Sequence, residues 1–166
     1  MNDTYVECLV ERKTNGFIKF LKYFLISLTV VLALGSLLFN ITVGFILAIV
    51  LGVVSYFVST YTDIEFEYLY VDKQISVDKV FAKSKRKAVA KYDVDKMEIM
   101  APIKSYKLDD YKNRQSKVVD YSSGVEKQPD RRFVFYYDGK EKVIIEPSED
   151  FVKAIMNVAP RKVVTY

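Results

Sequence analysis

The spacing of hydrophobic and polar positions changes abruptly near residue 60. From Phe20 to Ser59 it has no period: Lys22 is the last Asp, Glu, Lys or Arg of an apolar run roughly twice as long as the ~20 residues one helix needs to cross a bilayer core. Near its middle, Leu38-Phe-Asn-Ile-Thr42 carries Asn40, the most polar residue of the run and one that accepts turn geometry. The pattern predicts a two-helix transmembrane hairpin over 18–60, with helices at 18–38 and 41–59. In lipid a backbone must satisfy its own hydrogen bonds, which leaves helices for such segments.

After Tyr61 the period drops to two. Thr62–Val71 alternates, with Ile64, Phe66, Tyr68 and Tyr70 on one face, as in a half-buried strand. Asp72-Lys-Gln74 turns the chain, and further strands are expected at 75–81, 86–93 (Ala88, Ala90 and Tyr92 facing inward), 96–101, 117–121, 132–137 and 140–146. Lys104–Gln115 reads as a loop with a helical turn. Asp138-Gly139 between two alternating runs is the strongest hairpin signal in the chain. Ser148 caps a helix whose apolar stripe is Phe151, Val152, Ile155, Val158 and Ala159, closed by Pro160. Seven short strands and one amphipathic helix over 61–166 suggest a barrel or sandwich with the helix over one open end.

The first 17 residues form an amphipathic segment with two readings. Val6, Cys8 and Val10 alternate as in a strand; Tyr5, Cys8, Leu9 and Arg12 suit a short interfacial helix. A cleaved signal peptide ending near Ala33-Leu-Gly35 is the weaker alternative to the hairpin, because acids precede the run and the run continues beyond the site.

Composition narrows the chemistry. There is no histidine and one cysteine, Cys8. This removes the commonest general base near neutral pH, any Ser-His or Cys-His pair, and any cysteine metal cluster or intrachain disulfide. The pairs Asp93/Asp95 and Asp109/Asp110 lack a Gly-rich loop or third ligand, so no enzyme, metal or cofactor is expected. A net charge of +4 with mixed signs is too low for a nucleic-acid domain. Neither span carries a deep charge, so an ion or proton path has no residues to use. Arg12, Lys13, Lys19 and Lys22 precede the first span and the connecting turn has no charge. The positive-inside rule then predicts a multi-pass cell-membrane protein with both termini cytoplasmic.

Two clusters remain as candidate sites. Gly44, Ala48 and Gly52 lie on one stripe of the second span, suited to packing against the first span or to self-association into a homo-oligomer. Lys83, Lys85, Arg86 and Lys87 fall where two strands should turn. They suit anionic lipid headgroups, at about 1 kcal/mol per basic residue near a surface, or simply a soluble edge that resists aggregation.

The segments ISVDKVFAKSKRKAVAKYDVDKMEIMAP and YYDGKEKVIIEPSEDFVKAI resemble bacterial pleckstrin-homology-like (PH-like) domains, and nearly the whole chain resembles small bacterial proteins with a two-helix anchor and one such domain. The resemblance implies a PH-like barrel or sandwich with a C-terminal helix and supplies no activity. Phosphoinositide-binding relatives of the fold place basic residues between their first two strands; here that turn, Asp72-Lys73-Gln74, has one lysine. The expected function is a membrane-anchored, non-enzymatic binding or scaffold protein with an unidentified protein partner. The alternative is a sensor of anionic headgroups at the inner membrane surface.

Overall fold

The computed structural model describes residues 5–165. The described chain divides into two compact units: residues 14–64 with 81–85, and residues 5–13, 65–80 and 86–165.

The first unit is helical. α1 spans Gly16–Phe39 and α2 spans Thr42–Thr62. The Asn15 side chain caps α1 by accepting from Phe17 N–H. Asn40 ends it in the left-handed region, φ 54°, with its own N–H returned to Ser36 C=O, so two residues suffice to reverse the chain. α2 runs past the expected limit at 59, through the boundary drawn at 60/61, and ends only at Thr62. Both helices are long and apolar enough to cross a membrane. Their contact face is the reverse of a water-soluble core: Ser36, Ala48, Ser55 and Thr62 are buried, while Leu38, Phe39, Val31 and Ile49 are exposed.

The second unit holds two sheets. β1 (Val6–Glu11), β2 (Ile64–Val71), β3 (Gln74–Phe81) and β4 (Lys85–Asp93) lie side by side in sequence order. β5 (Met97–Pro102), β6 (Lys117–Asp120), β7 (Phe133–Tyr137) and β8 (Glu141–Ile145) form the order β5-β7-β8-β6, with β6 parallel to β8. The strand reading of the N-terminal segment is therefore the observed one: β1 pairs with β2 antiparallel, Cys8 opposite Tyr68. Thus residues ahead of the helices belong to the sheet expected to begin at residue 61. Among the described residues this makes eight strands, the expected seven segments plus β1.

The β7–β8 turn has φ 53° at Asp138 and 65° at Gly139, the primed geometry that matches strand twist. Asp72 and Lys73 adopt the same left-handed pair without a glycine, as do Ala82 and Lys83. The loop expected at 104–115 holds its helical turn: a 3₁₀ turn, Tyr106–Leu108, leads into α3, Asp109–Lys112.

The sheets share one core. Tyr92 of β4 meets Phe135 edge-on at 5.1 Å, and Phe66 of β2 meets Tyr121 at 5.4 Å. The Tyr68 hydroxyl donates to Tyr121 C=O at 2.5 Å and accepts from Glu146 N–H at 3.3 Å. Burial holds its pKa far above the usual phenol value. α4, Glu149–Val158, is capped by Ser148, which accepts from Phe151 N–H. It sets Phe151 against Tyr68 and Tyr70.

Three expectations are corrected. Val158 is 42% exposed, so the buried face of α4 is Phe151, Val152, Ala154 and Ile155. On β4 only Tyr92 is buried, while Ala88 is exposed, because the aromatic partners of the second sheet lie at the Tyr92 end. On β2, Glu65 and Glu67 are buried along with Phe66 and Tyr68, where alternation predicts exposure.

Candidate functional site

Of the four basic residues expected together, Lys83 lies in the β3–β4 turn and Lys85, Arg86 and Lys87 open β4. Lys83 and Lys85 belong to the helical unit, Arg86 and Lys87 to the sheet unit. Within the helical unit the turn is tied to the end of α2: Ala82 N–H donates to Asp63 C=O at 2.8 Å, and Phe81 packs edge-on against Tyr61 at 5.6 Å. Asp63 also pairs with Lys22 of α1 at 2.9 Å. These contacts hold Ala82 and Lys83 in left-handed backbone, φ 47° and 55°, a conformation that costs an L-residue about 1–2 kcal/mol.

Arg86 has a partner within the sheet. Its guanidinium lies 3.2 Å from Glu67, whose carboxylate is fully buried. No residue spacing announces this carboxylate as a site. Neither Glu67 oxygen makes a well-aligned hydrogen bond to a donor among the described residues, and the Glu7 carboxyl of β1 is its acidic neighbour. Two carboxyl groups facing each other are reconciled by one shared proton. Burial, then the hydrogen bond to Glu7, pushes the Glu67 pKa up. The Glu67 hydrogen bond, then that of the Tyr5 hydroxyl at 2.8 Å, holds Glu7 below the usual carboxylate range. Glu7, Glu67 and Arg86 thus bring β1, β2 and β4 together.

The first sheet ends in two unpaired edges. Among the described residues β1 pairs only with β2, and β4 only with β3. The β4 edge borders an open groove of about 620 Å³ whose far wall is β6. The β1 edge borders one of about 410 Å³, walled by Ser123, Val125 and Pro147. Each edge exposes one large apolar side chain, Val89 at 43% and Leu9 at 50%. Exposed backbone donors and acceptors on such edges are templates for a further strand. A third groove, about 760 Å³, runs beside α4 past Phe133, Val152 and Met156.

The stripe Gly44, Ala48 and Gly52 faces α1 of its own chain. A Cβ at Gly44 would overlap the Ser36 hydroxyl, and one at Gly52 would rest 3.6 Å from the Thr29 methyl. Ala48 is buried, and Thr29 and Ser55 hydroxyls approach at 3.4 Å. This is the close backbone approach that small residues permit.

The paired aspartates have local duties. Asp93 accepts from Asp95 N–H at 2.9 Å, Asp95 faces Lys73 at 3.5 Å, and Asp109 pairs with Lys112 at 2.5 Å. Cys8 is half-buried, and burial raises its thiol pKa, which disfavours the nucleophilic thiolate.

No curated protein and no solved structure matches the chain. The family model described as "Bacterial PH-like domain (DUF6106)" matches residues 2–165. That span takes in β1, both apolar helices, both sheets and α4, so the chain belongs to this family of bacterial PH-like domain proteins, whose function is unknown.

Proposed function

We propose that this chain is a membrane-anchored, non-enzymatic binding module. In this reading α1 and α2 span the cell membrane as a hairpin, both termini lie in the cytoplasm, and the PH-like domain recruits a protein partner there. What supports the anchor is the outward apolar surface of both helices, which water would penalise and lipid would not. Arg12 and Lys13 before α1, with Lys19 and Lys22 in its first turns, favour the cytoplasmic side. The observation that carries the binding role is the four-stranded sheet with two unpaired edges opening onto grooves. The test is a photo-crosslinking residue placed at Val89 of the full chain in its native membrane. A reproducible adduct at Val89, absent when the probe sits at exposed Val158, is expected. Labelling that is equal at both positions, or absent at both, would count against an edge-binding role.

A second reading has its own observation. The turn carrying Lys83 and Lys85 is hydrogen-bonded to the residue that ends α2, which would put both lysines at the headgroup level of an anchored hairpin. Native mass spectrometry of the full chain released from nanodiscs tests it. Retained anionic lipid should fall when Lys83 and Lys85 become Ser; unchanged retention would remove this reading.

A further inference from the structure

We infer that the groove beside the β1 edge takes an acidic, extended peptide segment of a partner protein, which adds to β1 as a further strand. The inference rests on the edge-binding role proposed above and names the edge and the chemistry of its occupant.

The far wall of this groove comes largely from the loop between β6 and β7, and the charges of that loop are sorted. It carries Glu126, Lys127, Asp130, Arg131 and Arg132. Glu126 pairs with Lys104, and Asp130 accepts from Arg132 Nη2 and Nε at 2.7 and 2.9 Å. Both acids of the loop are thereby taken. Lys127 and Arg131 stay exposed and line the groove, joined by Lys13 just past the end of β1. Among the described residues no ion pair engages Lys13, Lys127 or Arg131. The acids that border the groove already have partners: Glu146 accepts from Ser123 N–H at 3.2 Å, and Glu11 is engaged as well. The charge left uncompensated is positive, and complementary charge selects the partner.

The groove beside β4 lacks this charge. There Lys117 pairs with Glu141 and Lys140 with Asp138, which leaves Lys91 alone.

Shape favours a peptide over a compact anion. The outer edge of β1 offers backbone donors and acceptors along the groove, the template an added strand uses. Leu9, 50% exposed, and Val125 give the groove apolar walls. Arg131, Pro147 and Ser148 also border the groove beside α4, so the path continues past β1 and suits an elongated chain. The wall is set before a partner arrives. Lys13 N–H donates to Ser123 C=O at 2.9 Å, and the Ser122 and Ser123 hydroxyls accept from Gly124 and Val125 N–H at 3.2 and 3.3 Å. A wall already ordered lowers the entropic cost of binding.

The test uses the full chain in nanodiscs and a fluorescent probe peptide, Glu-Val-Glu-Val-Glu-Val-Glu, in which acids alternate with a strand-favouring residue. Fluorescence anisotropy should show binding of this peptide and none of its Lys-for-Glu counterpart. Lys127→Ser with Arg131→Ser should weaken binding about tenfold or more. Lys127→Glu with Arg131→Glu should reverse the preference toward the basic peptide, which an unfolded variant would not do. N-methylation of one alternate set of peptide amides should weaken binding about tenfold and of the other set should not, because a strand bonds a single antiparallel neighbour through alternate residues. A photo-crosslinking residue at Leu9 should capture the peptide, and one at Val158 should not.

No binding of the acidic peptide, equal binding of the basic one, or indifference to charge reversal would overturn the inference. Indifference to both N-methylated peptides, or displacement of the peptide by inorganic phosphate alone, would reduce the groove to an anion site and overturn strand addition. Capture of the peptide at Val89 in place of Leu9 would overturn the inference and leave the edge-binding role intact. Absence of peptide binding together with absence of a native adduct at Val89 would remove the two together.

Discussion

The helical hairpin and the sheet unit solve the same burial problem with opposite materials. In the sheet unit the large side chains are inside: Tyr68, Tyr70, Phe135 and Phe151 have almost no exposed surface. In the hairpin the buried positions are Ser36, Ala48, Ser55 and Thr62, and the large apolar residues point outward. Apolar burial drives the first arrangement in water. The second gains nothing from hiding Leu or Phe if its surroundings are themselves apolar; it gains from close backbone contact. The inversion within one chain is the best physical reason to assign the two units different solvents.

The comparison breaks most visibly in the sheet core. Phe151→Ala empties a site lined by Tyr68 and Tyr70 and should cost about 3–5 kcal/mol. Chemical denaturation in detergent followed by near-ultraviolet circular dichroism would measure it. A loss under about 1 kcal/mol would mean that α4 does not close this core.

In the hairpin the damaging change is the opposite one, addition of bulk. Gly44→Leu places a side chain where the Ser36 hydroxyl sits and should destabilise the α1–α2 pair by about 1–3 kcal/mol. A distance measured between labels on α1 and α2 should lengthen. If it stays unchanged while the chain's self-association is lost, the small-residue stripe would face another copy instead.

A smaller, stabilising effect is expected at the β3–β4 turn. Lys83→Gly relieves left-handed backbone at φ 55° and should raise stability by about 1 kcal/mol. Asn40→Ala, at φ 54°, should shift the hairpin the other way. A destabilised Lys83→Gly variant would show that the lysine side chain outweighs the strain.

The smallest effect depends on pH. Glu67 has a raised pKa in the folded chain. The fold therefore holds its proton in the window between the ordinary glutamate value and the raised one, and stability falls as pH rises through that window. Glu7, held low, contributes stability above its ordinary range that is lost as pH falls through its folded value. Glu67→Gln imitates the protonated form. It should melt with wild type on the acid side of that window and above wild type on its alkaline side. A melting difference independent of pH would contradict the shared proton.

Much of the sheet unit was legible because its signals are local. Asp138-Gly139 marks its hairpin, Ser148 its cap, and Phe66, Tyr68 and Tyr70 a buried face, each within ten residues. β1 was ambiguous because its partner lies beyond both helices: Cys8 pairs with Tyr68, and no local pattern encodes a pairing across that distance. Burial of Glu67 was hidden for the same reason, since Glu7 and Arg86 cover it from other strands. The contacts around the basic turn were hidden likewise, because they reach other elements: Arg86 meets Glu67 of β2, and Ala82 N–H meets Asp63 C=O beside the end of α2. The sheet edges were missed because β1 and β4 sit about eighty residues apart, and only the strand order makes them the two borders of one sheet.

The two-solvent account is tested most directly by spin-label accessibility on the full chain in lipid vesicles, with labels at Val31 and Ile49 in the hairpin and at Val89 and Val158 in the sheet unit. The account predicts that oxygen, which concentrates in lipid, relaxes the hairpin labels, and that a water-soluble nickel chelate relaxes the sheet labels. Strong relaxation of Val31 and Ile49 by the nickel chelate would place the hairpin in water and contradict the account.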